Sequence, residues 1–218
     1  QNYANTLIDF VVDKAHQLIS IEEGAFYGLN RLQRIYIRRA PLLISLPGGL
    51  FRLSLPSLHI LLIKQTGLRY FPDLSGLETV NILHTVDLEE NQLETIPTNS
   101  VRLRVDDFLI SFNALQSIEA FAFNGSQIAG LISFNALQSI EAFAFNGSQI
   151  ATLRFKGNWQ LADVNPDAFM GLASLRRLDL SQTALTNLPI RGLSELETLE
   201  LIETKTLKEI PSVYNYQV

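Results

Sequence analysis

Nine times along this 218-residue chain an apolar residue closes a turn at near-constant spacing: Ile21, Leu46, Phe71, Ile96, Ile118, Ile140, Val164, Leu188 and Ile210. The intervals are 25, 25, 25, 22, 22, 24, 24 and 22 residues. Pro follows five of the nine markers, as Pro47, Pro72, Pro97, Pro189 and Pro211. Five residues downstream an aromatic often returns, as Phe26, Phe51, Phe123, Phe145 and Phe169. Periods of about 20 to 50 residues mean supersecondary units that cannot bury their apolar faces alone and must stack.

Upstream of each marker lies a short alternating segment, among them "LQRIYI", "LHILLI", "LHTVDL", "IATLRF", "LRRLDL" and "LETLEL". Period-two alternation marks a strand with one buried face. Strand, turn, apolar marker and return segment make the leucine-rich repeat, in eight clear units and one ambiguous one. The expected fold is α/β, a curved solenoid of about nine repeats with a parallel sheet on its concave face. Its convex side is expected to be irregular or short-helical, and residues 1–218 to form one domain. Past each strand a turn residue recurs, as Thr66, Asn91, Asn113, Asn158, Thr183 and Thr204, suited to bonding backbone groups in the turn.

The strand phase predicts which side chains stand on the concave face, the usual binding surface of a solenoid. The first rungs give Asp9, Val11 and Asp13, then Arg34, Tyr36 and Arg38, then Ile60, Leu62 and Lys64. Next come Thr85, Asp87 and Glu89, then Asp107, Leu109 and Ser111. The last give Thr152, Arg154 and Lys156, then Arg177, Asp179 and Ser181, then Thr198, Glu200 and Ile202. Charge thus alternates along the ladder: basic in units two and three, acidic in four and five, basic again at Arg154. Such blocks set the register of a protein partner. Tyr36, Leu62, Leu109 and Ile202 are apolar anchors among them.

Composition narrows the function. A net charge of -5 argues against a nucleic-acid partner, which needs clustered Lys and Arg. With no cysteine and three histidines there is no disulfide framework and little to hold a metal. No apolar run reaches membrane-spanning length, and the N-terminus shows no secretory leader. His59 and His84 share one repeat position and are expected side by side, but the next repeats offer no third ligand, so no metal is assigned. His16 falls in a turn without an evident partner. No nucleophile elbow, phosphate loop or paired carboxylates appear, so no catalytic residue or cofactor is expected. Two sequons, at Asn124 and Asn146, precede strands and would accept N-glycans in a secreted protein.

Particular phrases go further: "TGLRYFPDLSGL" (66–77), "AFNGSQI" (144–150), "VNPDAFMGL" (164–172), "DLSQTALTNLPIRGLSELETL" (179–199) and "TKTLKEIP" (204–211). In that order they resemble the leucine-rich ectodomain of the glycoprotein hormone receptors over roughly residues 4–211. The divergence elsewhere is similar to that of an invertebrate member. The resemblance implies the hormone-binding part of a G-protein-coupled receptor, on the extracellular face of the plasma membrane. It also implies a cystine-knot heterodimeric hormone bound on the concave face, and glycosylation at Asn146 with Asn124 as its duplicate. An adhesion or matrix leucine-rich protein, binding other proteins without signalling, is the alternative. The family's cysteine-rich flanks have no counterpart here, so an internal piece of a longer ectodomain is expected.

One stretch departs from ordinary repetition. "LISFNALQSIEAFAFNGSQIA" occurs at residues 109–129 and again at 131–151, separated by Gly130 alone. Stacking does not demand 21 consecutive identities, so the echo reports recent duplication, an alternative exon or an assembly error. At the seam two strand frames compete. One buries Ile128 and Leu131, the other Gly130 and Ile132, and a one-residue slip exchanges the two faces. The second keeps Asn135 in its turn at the cost of a glycine in the core, a deficit of about 2 kcal/mol. The seam is the expected weak point.

Overall fold

A computed structural model describes residues 6–52, 55–80 and 83–211. Its strands, in chain order, begin with β1 (Asp9–Asp13), β2 (Arg34–Ala40), β3 (Ile60–Thr66), β4 (Thr85–Asp87), β5 (Thr95–Ile96), β6 (Arg104–Leu109) and β7 (Ser117–Ile118). They continue with β8 (Gln127–Leu131), β9 (Ser139–Ile140), β10 (Gln149–Arg154), β11 (Asp163–Val164), β12 (Arg177–Asp179) and β13 (Thr198–Glu200). Nine of them pair in parallel, in the order β1-β2-β3-β4-β6-β8-β10-β12-β13, each strand beside that of the next coil. Ile35, Ile37, Leu61, Ile63, Val86, Leu88, Phe108, Ile110, Leu153, Phe155, Leu178 and Leu180 fill the inner face and are wholly buried. The alternation in the sequence is therefore the alternation of the sheet, and the fold is the expected solenoid. Its helical content among the described residues is a single 3-10 turn, Ser75–Leu77.

The convex side carries more order than the repeat pattern suggests. β5, β7, β9 and β11 form a second, four-stranded parallel sheet. Its rungs are the backbone N–H of the residue after each marker donating to the preceding marker's carbonyl. Glu119 bonds Ile96 at 3.1 Å, Glu141 bonds Ile118 at 2.9 Å and Asn165 bonds Ile140 at 3.0 Å. Where proline follows the marker no N–H exists. Pro97 and Pro189 stand at this position at the two ends, so the sheet spans the units between them.

Phenylalanines form a buried spine beneath this side. Phe26 stacks on Phe51 at 6.2 Å, and Phe123 on Phe145 at 4.9 Å, with Phe169 5.8 Å further on. Between the two runs the spine positions are Gly76 and the buried Val101, and at Gly76 a Cβ would lie 1.9 Å from the Phe51 carbonyl oxygen. The coil has closed in where the ring is absent.

A ladder of turn side chains seals the other edge. Asn91 Oδ1 accepts the Thr66 backbone N–H (2.9 Å) and hydroxyl (2.6 Å), while Nδ2 donates to the carbonyls of Ile63 and Leu88. Asn113, Asn135 and Asn158 repeat the pattern, each bridging its own coil to the one before. Thr183 and Thr204 make one bond each, to Leu180 and Leu201 of their own coils, because a hydroxyl is too short to span the gap.

The seam takes the second frame: Gly130 and Ile132 are buried. From Ile128 to Asn135 the coil has one residue fewer than its neighbours have from Val105 to Asn113 and from Ile150 to Asn158. The sheet absorbs the deficit by a register shift on each side of β8, one between Val105 and Asp107, one between Ile150 and Leu153. Asp106 is the residue extruded on the first side. The expected hole is also smaller than a missing leucine. A Cβ on Gly130 would meet Leu153 Cδ2 at 3.2 Å and Ile128 Cδ1 at 3.8 Å, so those two side chains already fill much of the space.

Candidate functional site: the concave face and its rim

The ladder register brings the predicted surface residues into rows. One row runs Val11, Tyr36, Leu62, Asp87, Leu109, Leu131, Arg154, Asp179 and Glu200 across successive strands. Beside it Asp9, Arg34, Ile60, Thr85 and Asp107 are aligned, and on the other flank Asp13, Arg38 and Lys64. Tyr36, Leu62 and Leu109 are half-buried in the sheet surface, while Val11 (56%) and Ile202 (62%) stand well exposed at its two ends.

The charges pair in ways that strand phase alone does not reveal. Arg34 binds Asp9 through two hydrogen bonds, with Nη2 2.9 Å from Oδ2. Asp13 accepts from Arg38 at 3.3 Å and from Arg39, whose Nε lies 2.7 Å from Oδ1. Arg34, Arg38 and Arg39 of unit two thus share the two carboxylates of unit one. Arg34 and Arg39 hold the carboxyls of Asp9 and Asp13 below the usual range, chiefly by hydrogen bonding. Lys64 sits among Asp87 (3.4 Å), Glu89 (3.3 Å) and Glu90 (3.5 Å), one cation for three carboxylates. Burial lowers the Lys64 pKa, but attraction to Asp87 and Glu89 outweighs it, and the net shift is upward. Units two and three are therefore not a free basic block, and the region around Lys64 is net acidic.

Arg154, Lys156 and Arg177 differ. All three are exposed, and no ion pair reaches them among the described residues. They form the free basic patch of the concave face, with exposed Asp107 and the Lys64 cluster on the acidic side. Asp87 and Asp179, expected to be available to a partner, are each 6% exposed. Each turns one carboxylate oxygen back onto the chain, Asp87 to the Glu89 N–H at 3.0 Å and Asp179 to the Ser181 N–H at 2.9 Å. Both fix the strand exit.

At that exit every coil turns through a left-handed residue: Lys14, Arg39, Gln65, Glu90, Phe112, Phe134, Gly157, Gln182 and Glu203 have φ between 53° and 79°. Non-glycine residues pay strain there, offset by cross-coil bonds such as Phe112 N–H to Ser133 (3.3 Å) and Phe134 N–H to Lys156 (2.8 Å). In this column the echo places two phenylalanines side by side. Phe112 and Phe134 stack at 5.0 Å and 4°, 53% and 42% exposed, with the Phe134 ring lying over bare Gly157. Sequence reasoning missed this aromatic rim, although equal positions in identical coils signal it.

His59 and His84 lie side by side as expected, ring centres 5.8 Å apart. His84 Nδ1 is 2.7 Å from Asp106, the residue extruded by the register shift, and His59 Nδ1 is 2.6 Å from the Ser57 carbonyl. No group of three or more such side chains is poised to hold a metal among the described residues. The sequon residues Asn124 and Asn146 lie half-buried on the convex turns. Their partner serines are buried, Ser126 donating to Val101 O and Ser148 to Phe123 O, both at 2.6 Å.

The comparisons with known proteins fit this architecture. Residues 131–185 match the family model described as "Leucine rich repeat". The thyrotropin receptor of Sus scrofa is 30% identical over 199 residues, which is 89% of this chain and 23% of that receptor. The chain belongs to the leucine-rich repeat family of the glycoprotein hormone receptors. The follicle-stimulating hormone receptor of Mesocricetus auratus is 30% identical over 157 residues, 70% of this chain and 19% of that receptor. The chain thus spans about a quarter or less of the family members it matches. A solved TLR13–ssRNA13 complex superposes with a TM-score of 0.67 at 19% identity, covering 93% of this chain and 31% of that one, a likeness of fold. Among the described residues no helix is long and apolar enough to cross a membrane.

Proposed function

We propose that this chain is the hormone-binding solenoid of a G-protein-coupled receptor and binds a cystine-knot heterodimeric glycoprotein hormone on its concave face. It acts by binding, without catalysis or cofactor, and is displayed on the extracellular face of the plasma membrane. The domain, residues 1–218, is part of a longer ectodomain. The observation that carries the reading is alignment with the thyrotropin and follicle-stimulating hormone receptors along most of the chain. The concave face supports it, with the free cations Arg154, Lys156 and Arg177 beside half-buried apolar anchors and an acidic centre. Opposed charge blocks steer and register a protein partner more than they add raw affinity.

Changing Arg154 and Lys156 together to Glu reverses the free basic patch without touching a buried residue. Surface plasmon resonance against a panel of cystine-knot hormones should show binding by the parent chain. The double variant should bind at least about tenfold more weakly, mainly through slower association. Unchanged affinity removes these rungs from the site, and no binding by the parent chain to any hormone sinks the proposal.

A further inference from the structure

The two copies of the echo have the same covalent surroundings, so any difference in their chemistry must come from the fold. Each contains Asn-Gly, at Asn124–Gly125 and Asn146–Gly147, within the identical run "AFAFNGSQIA". In such a pair the backbone nitrogen of glycine can reach the asparagine side-chain carbonyl carbon, since glycine adds no Cβ to hinder it. What holds the reaction back in a folded protein is the order of that backbone.

The structure orders the two turns unequally. The first copy is zipped to the coil that follows by three backbone bonds: Phe121 N–H to Phe143 O (3.2 Å), Phe123 N–H to Ala144 O (2.8 Å) and Gly125 N–H to Asn146 O (3.1 Å). The second copy keeps one of these, Phe143 N–H to Asp167 O at 3.0 Å. The N–H of Gly147, unlike that of Gly125, has no acceptor among the described residues. The neighbour decides this. Asn124 and its turn face a chemically identical turn, whereas Asn146 faces Met170–Gly171, with its Oδ1 2.8 Å from where a Gly171 Cβ would stand. Both glycines are solvent-exposed, so water and base reach both sites.

We infer that Asn146, and not its sequence-identical twin Asn124, is the site of spontaneous deamidation in this protein. Solvent base removes the Gly147 amide proton, and the nitrogen attacks Asn146 Cγ. A C–N bond forms while the Cγ–Nδ2 bond breaks, and Nδ2 leaves with a proton as ammonia. Water then adds to either carbonyl of the cyclic imide, opening one ring C–N bond to give aspartate or isoaspartate. No oxidant or cofactor is needed. The product adds a negative charge to the convex turn and destroys the sequon. A glycan on Asn146 Nδ2 replaces that leaving group, so glycosylation and deamidation compete for one atom.

The test uses the full chain made in a host that does not N-glycosylate, aged at physiological temperature in mildly alkaline buffer. Cleavage after Glu119, Glu141 and later acids separates the twins, because residues 120–141 and the peptide beginning at Ala142 differ beyond the shared run. Mass spectrometry then gives each site's rate. A protective bond of about 1 kcal/mol corresponds to Asn146 reacting about fivefold faster in the native protein. In concentrated urea the two rates should become equal, because the flanking sequences are identical. Equal native rates, a faster Asn124, or a difference that survives in urea would each overturn the inference. Gly147→Ala, if it folds, should silence Asn146 and leave Asn124 unchanged. The urea comparison stands even if that variant does not fold.

Discussion

Pro189 occupies, one coil on, the position from which Asn165 donates its backbone N–H to the carbonyl of Ile140 at 3.0 Å. Lacking that N–H, Pro189 cannot reach Val164, and the convex sheet stops there. Glu141→Pro should therefore cut the sheet in its middle by deleting the bond to Ile118, destabilising the protein by about 1–3 kcal/mol. Pro189→Glu should add a rung with little net change in stability, since it forgoes the proline's entropic advantage. Chemical denaturation measures the first, and hydrogen exchange at residue 189 reports the second. Equal stability of Glu141→Pro and the parent chain would show that the convex sheet adds little.

The asparagine ladder predicts a graded series. Asn158 is wholly buried and bonds Leu137, Ile132 and Phe155. Asn158→Ala leaves those groups unpaired and should cost about 2–4 kcal/mol. Asn158→Thr, imitating Thr183 and Thr204, keeps one bond within the coil and should fall between. A threonine variant no better than alanine would show that the bridge between coils matters and the bond within a coil does not.

The seam predicts a size threshold at Gly130. Alanine needs only a small movement of the Leu153 tip, so Gly130→Ala should lie within about 1 kcal/mol of the parent. Gly130→Leu should overpack and cost about 1–3 kcal/mol. If leucine instead stabilises the protein, the space at β8 is a true cavity and the neighbouring side chains do not fill it.

Two carboxylates should respond to pH in opposite senses. Burial first, then repulsion from Asp87, holds the Glu89 carboxyl above its usual range despite its bond to Lys64. A raised pKa in the folded state contributes stability below the ordinary carboxylate range, lost as pH rises through the raised value. Glu89→Gln should then stabilise the protein near neutral pH and make no difference in acid. Asp73 is the reverse, its pKa lowered chiefly by the Ser75 hydroxyl bond. Asp73→Asn should destabilise above the ordinary range, the loss fading as pH falls through the lowered value. After solvent screening each effect is at most about 1 kcal/mol. Thermal melts across the acid range read both.

The echo shows where legibility in the sequence ends. Its two copies share every residue, yet Gly125 is bonded to the following coil and Gly147 is not, because bonding partners lie a whole repeat away. The same separation explains the concave face. Strand phase placed Arg34, Arg38 and Lys64 on it, but only the register showed that Asp9, Asp13 and the Asp87–Glu89–Glu90 group pair with them. It also showed that Asp87 and Asp179 turn back on the chain, and that Asp106 is extruded beside His84. By itself the sequence determined the solenoid, because a fixed period with an alternating strand can bury its apolar side only by stacking. The tertiary structure decided which surface groups remain free, because that depends on what each side chain meets on the neighbouring coil.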